Sequence, residues 1–130
     1  MSLNILVVDD SAVTRAMIIK TLRLAEIPIA EVLQAGDGQQ GLDALAQNEI
    51  DLVFTDINMP VMDGEEMVQR LRQNPQWQSL PLVVVSTEGS QTRIERLEAQ
   101  GAWFVHKPFT PETVREVVRE LTGVSHEQQA

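Results

Sequence analysis

Three short apolar runs and two segments of more mixed composition, at residues 31–35 and 103–106, recur along the chain of 130 residues, and the stretches between them are long enough for a helix. Short apolar runs bounded by turn-forming residues are typical of strands buried on both faces of a sheet. The predicted strands are residues 5–8, 31–35, 52–55, 82–85 and 103–106. Because crossovers between parallel strands are right-handed and bring a helix back onto the sheet, strictly alternating strands and helices favour a parallel sheet covered on both faces. The sequence therefore predicts an α/β fold, a doubly wound (βα)5 sandwich.

The residues that flank the intervening stretches mark where the helices begin and end. Ser11 and Thr110 are predicted N-caps of the first and last helices, and Pro111 suits a first helical position. Gly123 is expected to end the last helix, and residues 36–38 are expected to form a turn. The predicted helices cover residues 11–25, 41–48, 65–73, 90–100 and 111–123, with residue 92 as an alternative start of the fourth.

Composition narrows the possible functions. The length fits a single domain, and the lack of cysteine excludes disulfides, zinc thiolates and a cysteine nucleophile. A net charge of −9 opposes direct binding of nucleic acid and suits a bound cation or a basic partner. No segment approaches the ~20 apolar residues of a membrane helix, and the N-terminus has no signal-peptide pattern. We therefore expect no membrane insertion and a cytoplasmic location.

Polar side chains follow four of the five predicted strands. Asp9 and Asp10 follow the first strand, and Asp56 follows the third. Ser86 follows the fourth strand, and Lys107 follows the fifth. Since the carboxyl ends of parallel strands lie at one edge of the sheet, three carboxylates, a hydroxyl and an ammonium are expected to converge in one crevice.

Such a group of side chains has a defined chemistry. Three close carboxylates repel one another unless a cation neutralises part of their charge. Oxygen ligands without histidine or cysteine suit Mg²⁺, with Mn²⁺ as an alternative, better than zinc. An aspartate carboxylate can also attack phosphorus and form an aspartyl phosphate, and a cation, an ammonium and a hydroxyl would stabilise the charge of that transition state.

Four short motifs are shared with one known family. They are residues 6–11 (Leu-Val-Val-Asp-Asp-Ser), residues 56–64 (Asp-Ile-Asn-Met-Pro-Val-Met-Asp-Gly), residues 85–86 (Val-Ser) and residues 107–109 (Lys-Pro-Phe). Over essentially its whole length the chain resembles the receiver domain of two-component response regulators, above all the single-domain chemotaxis-type regulators. The resemblance implies a flavodoxin-like receiver fold with strand order 2-1-3-4-5. It also implies a receiver domain over residues 1–124 and a polar tail over residues 125–130.

The resemblance implies a phosphoacceptor and a metal site. Asp56 would accept a phosphoryl group from the phosphohistidine of a histidine kinase or a phosphotransfer protein. Asp10 and Asp56 would bind Mg²⁺ through their side chains, Asn58 through its backbone carbonyl, and Asp9 mainly through water.

The resemblance also implies the groups that respond to phosphorylation. Lys107 would pair with the phosphoryl group, and the hydroxyl of Ser86 would close onto it, with Thr87 as a competitor for that role. Phe104 would be the aromatic side chain that changes rotamer on activation, so Ser86 and Phe104 would form the switch.

Two more local features follow from the resemblance. The peptide between Lys107 and Pro108 is expected to be cis. Asn58 and Glu88 occupy the two positions that modulate dephosphorylation in the family, and an amide with a carboxylate there resembles the pattern of fast turnover.

The expected function is therefore a phosphorylation-dependent signalling switch of a two-component system. It would assist its own phosphorylation and dephosphorylation without being a conventional enzyme. A downstream protein would bind the face made by the fourth helix, the fifth strand and the fifth helix. No DNA-binding or enzymatic module follows residue 124, so the output is expected to be protein contact, or an effector domain that this sequence does not include.

Two other classes of protein share parts of this pattern. A hydrolase of the haloacid dehalogenase kind has a second aspartate two residues after its nucleophile, where this chain has Asn58, and no cap domain is present. A flavodoxin-like electron carrier needs a phosphate-binding loop after the first strand, where Asp9 and Asp10 would repel the phosphate of FMN.

Overall fold

A five-stranded parallel sheet forms the centre of the computed structural model, which describes residues 2–87, 89–107 and 109–123. The strands are β1 (Leu3–Val8), β2 (Ile29–Ala35), β3 (Leu52–Thr55), β4 (Leu82–Ser86) and β5 (Trp103–His106). The helices are α1 (Ala12–Leu24), α2 (Gly38–Gln47), α3 (Gly64–Gln73), α4 (Gln91–Ala99) and α5 (Pro111–Thr122), with a 3₁₀ turn at Pro75–Trp77. The sheet order is β2-β1-β3-β4-β5, so the predicted α/β fold and its strand order are confirmed. The expected tail, residues 125–130, lies outside the described residues.

Alternate residues of the central strands supply two separate cores. Ile5 and Val7 belong to the core on one face of the sheet, together with residues of α1 and α5. Leu6 and Val8 belong to the core on the other face, together with residues of α2, α3 and α4. All four are fully buried, which explains why β1 is an unbroken apolar run. Among the described residues, no helix is both long enough and apolar enough to cross a bilayer.

The predicted helix ends are largely confirmed. The Ser11 hydroxyl accepts a hydrogen bond from the backbone N–H of Thr14, and that of Thr110 accepts one from Thr113. Gly123 ends α5 in the left-handed region, at φ 75°. These ends were predictable because a cap depends on residues close in sequence.

The start of α2 differs from the prediction. Residues 36–38 are predicted to form a turn before the helix, but α2 already begins at Gly38. The Asp37 carboxylate caps the helix by accepting a hydrogen bond from the Gln40 N–H. Gly38 donates its N–H to the Met62 carbonyl at 2.9 Å, and a Cβ at Gly38 would lie 2.7 Å from that oxygen. Glycine is therefore required here by a close contact with the loop after β3.

That loop contains a strained turn at Val61. The Met62 N–H donates to the Pro60 carbonyl at 2.7 Å, which closes a three-residue turn with Val61 at φ 67°. A β-branched residue strongly disfavours this region of the backbone. The turn persists because Met62 is buried in the core and its carbonyl is held by Gly38.

We expect Val61→Gly to raise the free energy of unfolding by about 1 kcal/mol, because release of the positive-φ strain exceeds the entropy that glycine adds to the unfolded chain. Urea denaturation measures the change. Val13 is the matched control, since it is also an exposed valine but lies in α1. Val13→Gly should lower the stability by about 0.5 kcal/mol. An unchanged or lower urea midpoint for Val61→Gly would contradict the strain.

Candidate functional site

The register of the sheet brings Asp9 and Asp56 together. Val8 pairs with Thr55, and the Asp56 N–H donates to the Val8 carbonyl at 3.1 Å, so the residues that follow β1 and β3 are neighbours. One carboxylate oxygen from each of Asp9, Asp10 and Asp56 lies within 4.8 Å of the others. The acidic cluster expected from the sequence is therefore present at the carboxyl edge of the sheet.

Asp9 is the buried member of this cluster, with 2 % of its surface exposed. Its Oδ1 accepts from the Ser11 N–H at 2.8 Å, but its buried Oδ2 has no hydrogen-bond donor in the part of the chain that the structure describes. Burial raises the pKa of Asp9, and the charges of Asp56 and Asp10 raise it further, while the Ser11 N–H and Lys107 act in the opposite direction. An unsatisfied carboxylate oxygen beside two more carboxylates is the environment that a hard divalent cation would neutralise.

Asp56 is fixed by its neighbours along the chain. Its Oδ1 accepts from the Ile57 N–H at 2.8 Å, and its carbonyl accepts from the Thr55 hydroxyl at 2.9 Å. The Ile57 carbonyl accepts from the Gly64 N–H at 2.7 Å, which holds the start of α3 against the end of β3. Asp56 is only half-buried, so this carboxylate is less enclosed than that of Asp9.

Ser86 and Lys107 lie at the same edge of the sheet. The Lys107 N–H donates to the Ser86 carbonyl at 3.1 Å, which continues the pairing of β4 with β5. Ser86 is buried, whereas Thr87 is exposed, so Ser86 is the hydroxyl-bearing residue enclosed at the strand end. Lys107 is half-buried and close enough to Asp9 for its charge to lower the pKa of that carboxyl.

The two side chains near the end of β5 differ in burial. Phe104 is half-buried against the core, and its ring lies edge-on to that of His106, with centroids 4.7 Å apart. His106 is exposed. Glu88 and the peptide between Lys107 and Pro108 fall outside the described residues, so the structure does not test either expectation.

Sequence reasoning missed Arg15, which supports Asp9 from α1. The Arg15 guanidinium donates to the Asp9 carbonyl through Nη1 and to Gln34 Oε1 through Nε at 3.0 Å. It thereby ties together the ends of β1 and β2 on the outer side of the cluster. An arginine in the second turn of a helix is common, so the sequence offers no local signal of this contact.

Sequence reasoning also missed an ion-pair cluster between α3 and α4. Glu65, at the start of α3, accepts from Arg96 Nε at 2.6 Å and from Arg93 Nε at 3.2 Å. Arg93 extends further and donates through Nη1 to Asn58 Oδ1 at 3.2 Å. Both arginines are thus engaged with α3, and one of them contacts the loop that follows Asp56.

Glu65 makes the stability depend on pH in a predictable direction. Its hydrogen bond with Arg96 is the main cause that lowers the pKa of Glu65 below the ordinary value of 4.5, although burial opposes it. The stabilisation is therefore complete well above pH 4.5 and is lost as the pH falls through the lower pKa of the folded protein. We expect Glu65→Gln to be destabilising at pH 7 and neutral at the acid end of a urea series.

Glu66→Gln is the control for this series, since the Glu66 carboxylate forms an exposed pair with Arg70 at 2.7 Å. It should differ little from the wild type at any pH. A destabilisation by Glu65→Gln that is constant across pH would contradict an ionic origin.

Comparison with known proteins agrees with this geometry. The profile of the response regulator receiver domain family matches residues 5–119. The chemotaxis protein CheY homolog of Campylobacter jejuni is 35% identical over 123 residues, which cover 93% of this chain and 93% of that protein. CheY1 of Helicobacter pylori is 31% identical over 125 residues, which cover 95% of this chain and 99% of that protein. The structure of the chemotaxis response regulator CheY4 of Vibrio cholerae matches with a TM-score of 0.80 and 34% identity, covering 93% of this chain and 99% of that chain.

Proposed function

Because the chain belongs to the response regulator receiver domain family, we propose that it works as a phosphorylation-dependent switch with Asp56 as its phosphoacceptor. It is a receiver domain of the two-component type, similar to chemotaxis regulators, and a domain of this type is a signalling module and not a conventional enzyme.

The observation that supports the proposal most is the acidic cluster. Asp9, Asp10 and Asp56 each offer an oxygen within 4.8 Å of the others, and one buried oxygen of Asp9 has no donor among the described residues. These side chains fit Mg²⁺ or Mn²⁺, with the backbone carbonyl of Asn58 as a further ligand. A bound cation would neutralise charge on the phosphoryl oxygens.

Asp56 supplies the nucleophile. In the transfer step one of its carboxylate oxygens forms a bond to phosphorus, while the bond between phosphorus and the imidazole nitrogen of a phosphohistidine breaks and leaves its electron pair on that nitrogen. The Ile57 N–H, which donates to Asp56 Oδ1, orients the other oxygen toward the incoming group. Lys107 pairs with the phosphoryl oxygens and stabilises their charge.

Ser86 and Phe104 convert the new charge into a change of shape. The Ser86 hydroxyl moves toward the phosphoryl group and donates a hydrogen bond to one of its oxygens. Phe104 then repacks into the space that this movement opens. Phosphorylation thereby shifts a two-state equilibrium of the surface made by α4, β5 and α5. This surface is proposed to bind a downstream protein, and the phosphodonor is a histidine kinase or a phosphotransfer protein.

Turnover of the switch also takes place at this site. Asn58 and Glu88 are proposed to modulate hydrolysis of the aspartyl phosphate, which the domain itself assists. We place this activity in the cytoplasm and assign the receiver domain to residues 1–124, without a role for nucleic acid.

The test is incubation with acetyl phosphate and Mg²⁺, followed by intact-mass measurement. We expect one phosphoryl gain per chain, which disappears in Asp56→Asn and when EDTA removes the cation. Asp63→Asn is the matched control, because Asp63 lies on the same loop and caps α3 by accepting from the Glu66 N–H, which asparagine also does. A phosphoryl gain that persists in Asp56→Asn would disprove the assignment of Asp56.

The same incubation separates the switch from a hydrolase. A switch consumes acetyl phosphate slowly, since each cycle passes through the phosphorylated protein. Rapid release of phosphate, at the rate of a conventional enzyme and without a detectable phosphorylated protein, would instead support a hydrolase with an aspartate nucleophile.

A further inference from the structure

Arg93 connects the signalling helix α4 to the loop that follows Asp56. Its side chain is 24% exposed, and its three nitrogens face three groups of α3 and the preceding loop. Nε lies 3.2 Å from Glu65 Oε1, Nη1 lies 3.2 Å from Asn58 Oδ1, and Nη2 lies 4.0 Å from Asp63 Oδ2. A planar guanidinium with two or more hydrogen-bond partners is held in one orientation, whereas the ammonium of a lysine would remain free to rotate.

We propose that Arg93 is a positioning residue that restrains the Asn58 amide and slows hydrolysis of phosphorylated Asp56. This inference rests on the proposed function, and it concerns the lifetime of the phosphorylated state. Arginine has donors only, so its contact with Asn58 requires the amide oxygen. That oxygen is the atom through which Asn58 would accept a hydrogen bond from a water molecule beside the phosphoryl group.

The hydrolysis step shows why this oxygen matters. The oxygen of a water molecule forms a bond to phosphorus, the bond from phosphorus to the Asp56 oxygen breaks, and its electron pair returns to the carboxylate. Inorganic phosphate leaves, and the proton of the water goes to solvent. An acceptor that orients the water assists this attack. Asn58 is exposed and lies two residues after Asp56, but Arg93 holds its acceptor atom on the side of α4.

Glu65 makes the restraint depend on the position of α4. Its carboxylate binds Arg93 and also Arg96, so α4 is attached to α3 at two points. A partner that displaces α4 from α3 would withdraw the Arg93 guanidinium and release Asn58. Binding of a target to α4 would then shorten the phosphorylated state, so that the output surface and the turnover of the switch are coupled.

Wild type and variants are phosphorylated with acetyl phosphate and Mg²⁺ and then separated from the phosphodonor. The experiment then measures the first-order rate at which each protein loses its phosphoryl group. We expect Arg93→Gln to lose the group about fivefold faster, which is the size of effect expected from one orienting hydrogen bond. Arg96→Gln is the matched control, because Arg96 binds the same Glu65 from the same helix and has no hydrogen bond with Asn58 among the described contacts. Arg96→Gln should decay close to the wild-type rate, because Arg93 keeps its own contacts with Glu65 and Asn58.

A second background tests whether Arg93 acts through Asn58. In Asn58→Ala the additional Arg93→Gln change should leave the decay rate unchanged, since the amide on which Arg93 acts is absent. The inference is overturned if Arg93→Gln decays at or below the wild-type rate, if Arg96→Gln accelerates decay equally, or if the effect of Arg93→Gln persists in Asn58→Ala. These results differ from failure of the proposed function, in which the wild type gains no phosphoryl group at all.

Discussion

Gly64→Ala is expected to lower the free energy of unfolding by about 3 kcal/mol or more, because the new methyl group meets backbone and not a flexible side chain. A Cβ on Gly64 would lie 2.0 Å from the Asp56 carbonyl oxygen and 3.0 Å from the Ile57 Cα. The start of α3 would have to move away from the end of β3. Since native domains are stable by about 5–15 kcal/mol, this loss threatens folding itself.

Gly64→Ala should also impair the site around Asp56 in the molecules that still fold. The Gly64 N–H holds the Ile57 carbonyl at 2.7 Å, and the Ile57 N–H in turn orients Asp56 Oδ1. Separation of the two segments would therefore misplace Asp56, the proposed phosphoacceptor. Far-UV circular dichroism during urea denaturation gives the stability, and intact mass after acetyl phosphate gives the phosphoryl gain.

Gly89→Ala is the control for a general effect of removing a glycine. A Cβ at Gly89 meets no atom within 4 Å, so this change should alter the free energy of unfolding by less than about 0.5 kcal/mol. If Gly64→Ala has the same urea midpoint as Gly89→Ala, the close approach of α3 to β3 is not required.

The sheet and its acidic edge were predictable because their signals are local in sequence. Each buried strand is a run of apolar residues, and each cap depends on a residue one helical turn away, as Ser11 and Thr110 show. Parallel strands place all the strand ends at one edge of the sheet, and the strand order that the family resemblance implies puts β1 next to β3 and so Asp9 beside Asp56. The prediction of the site therefore required the strand ends, the direction of the chain and that strand order.

Contacts between helices were not predictable in the same way. Arg93 and Asn58 lie far apart in sequence, and their contact depends on the distance and rotation of α4 relative to α3. Gly38 was expected to lie in a turn and Gly64 to precede a helix, whereas each is required because another backbone passes where a Cβ would be. The requirement for glycine at these two positions arises from tertiary packing, and a single sequence has no periodic pattern that would reveal it.

Arg72 is the second residue for which we expect a large effect, and its role is likewise visible only in the fold. The guanidinium donates to the carbonyls of Trp77 at 2.7 Å and Leu80 at 2.8 Å, which belong to the segment between α3 and β4. It also donates to the carbonyl of Gln100 at 2.8 Å, at the end of α4. Burial lowers the pKa of Arg72, so the folded protein holds a partly desolvated cation whose partners are backbone carbonyls.

Arg72→Met keeps an unbranched apolar stem and removes every donor, and we expect it to lower the free energy of unfolding by about 3 kcal/mol because carbonyls of two segments lose a charged partner. Arg70→Met is the matched control, since Arg70 lies on the same helix and forms one exposed pair with Glu66 at 2.7 Å. That change should cost about 0.5 kcal/mol or less. Urea denaturation of both variants measures the difference, and equal midpoints would mean that solvent replaces Arg72 at these carbonyls without cost.

Because Gln100 follows the last turn of α4, loosening at Arg72 should also increase amide hydrogen exchange at the start of β5, while the helices on the opposite face of the sheet keep their protection.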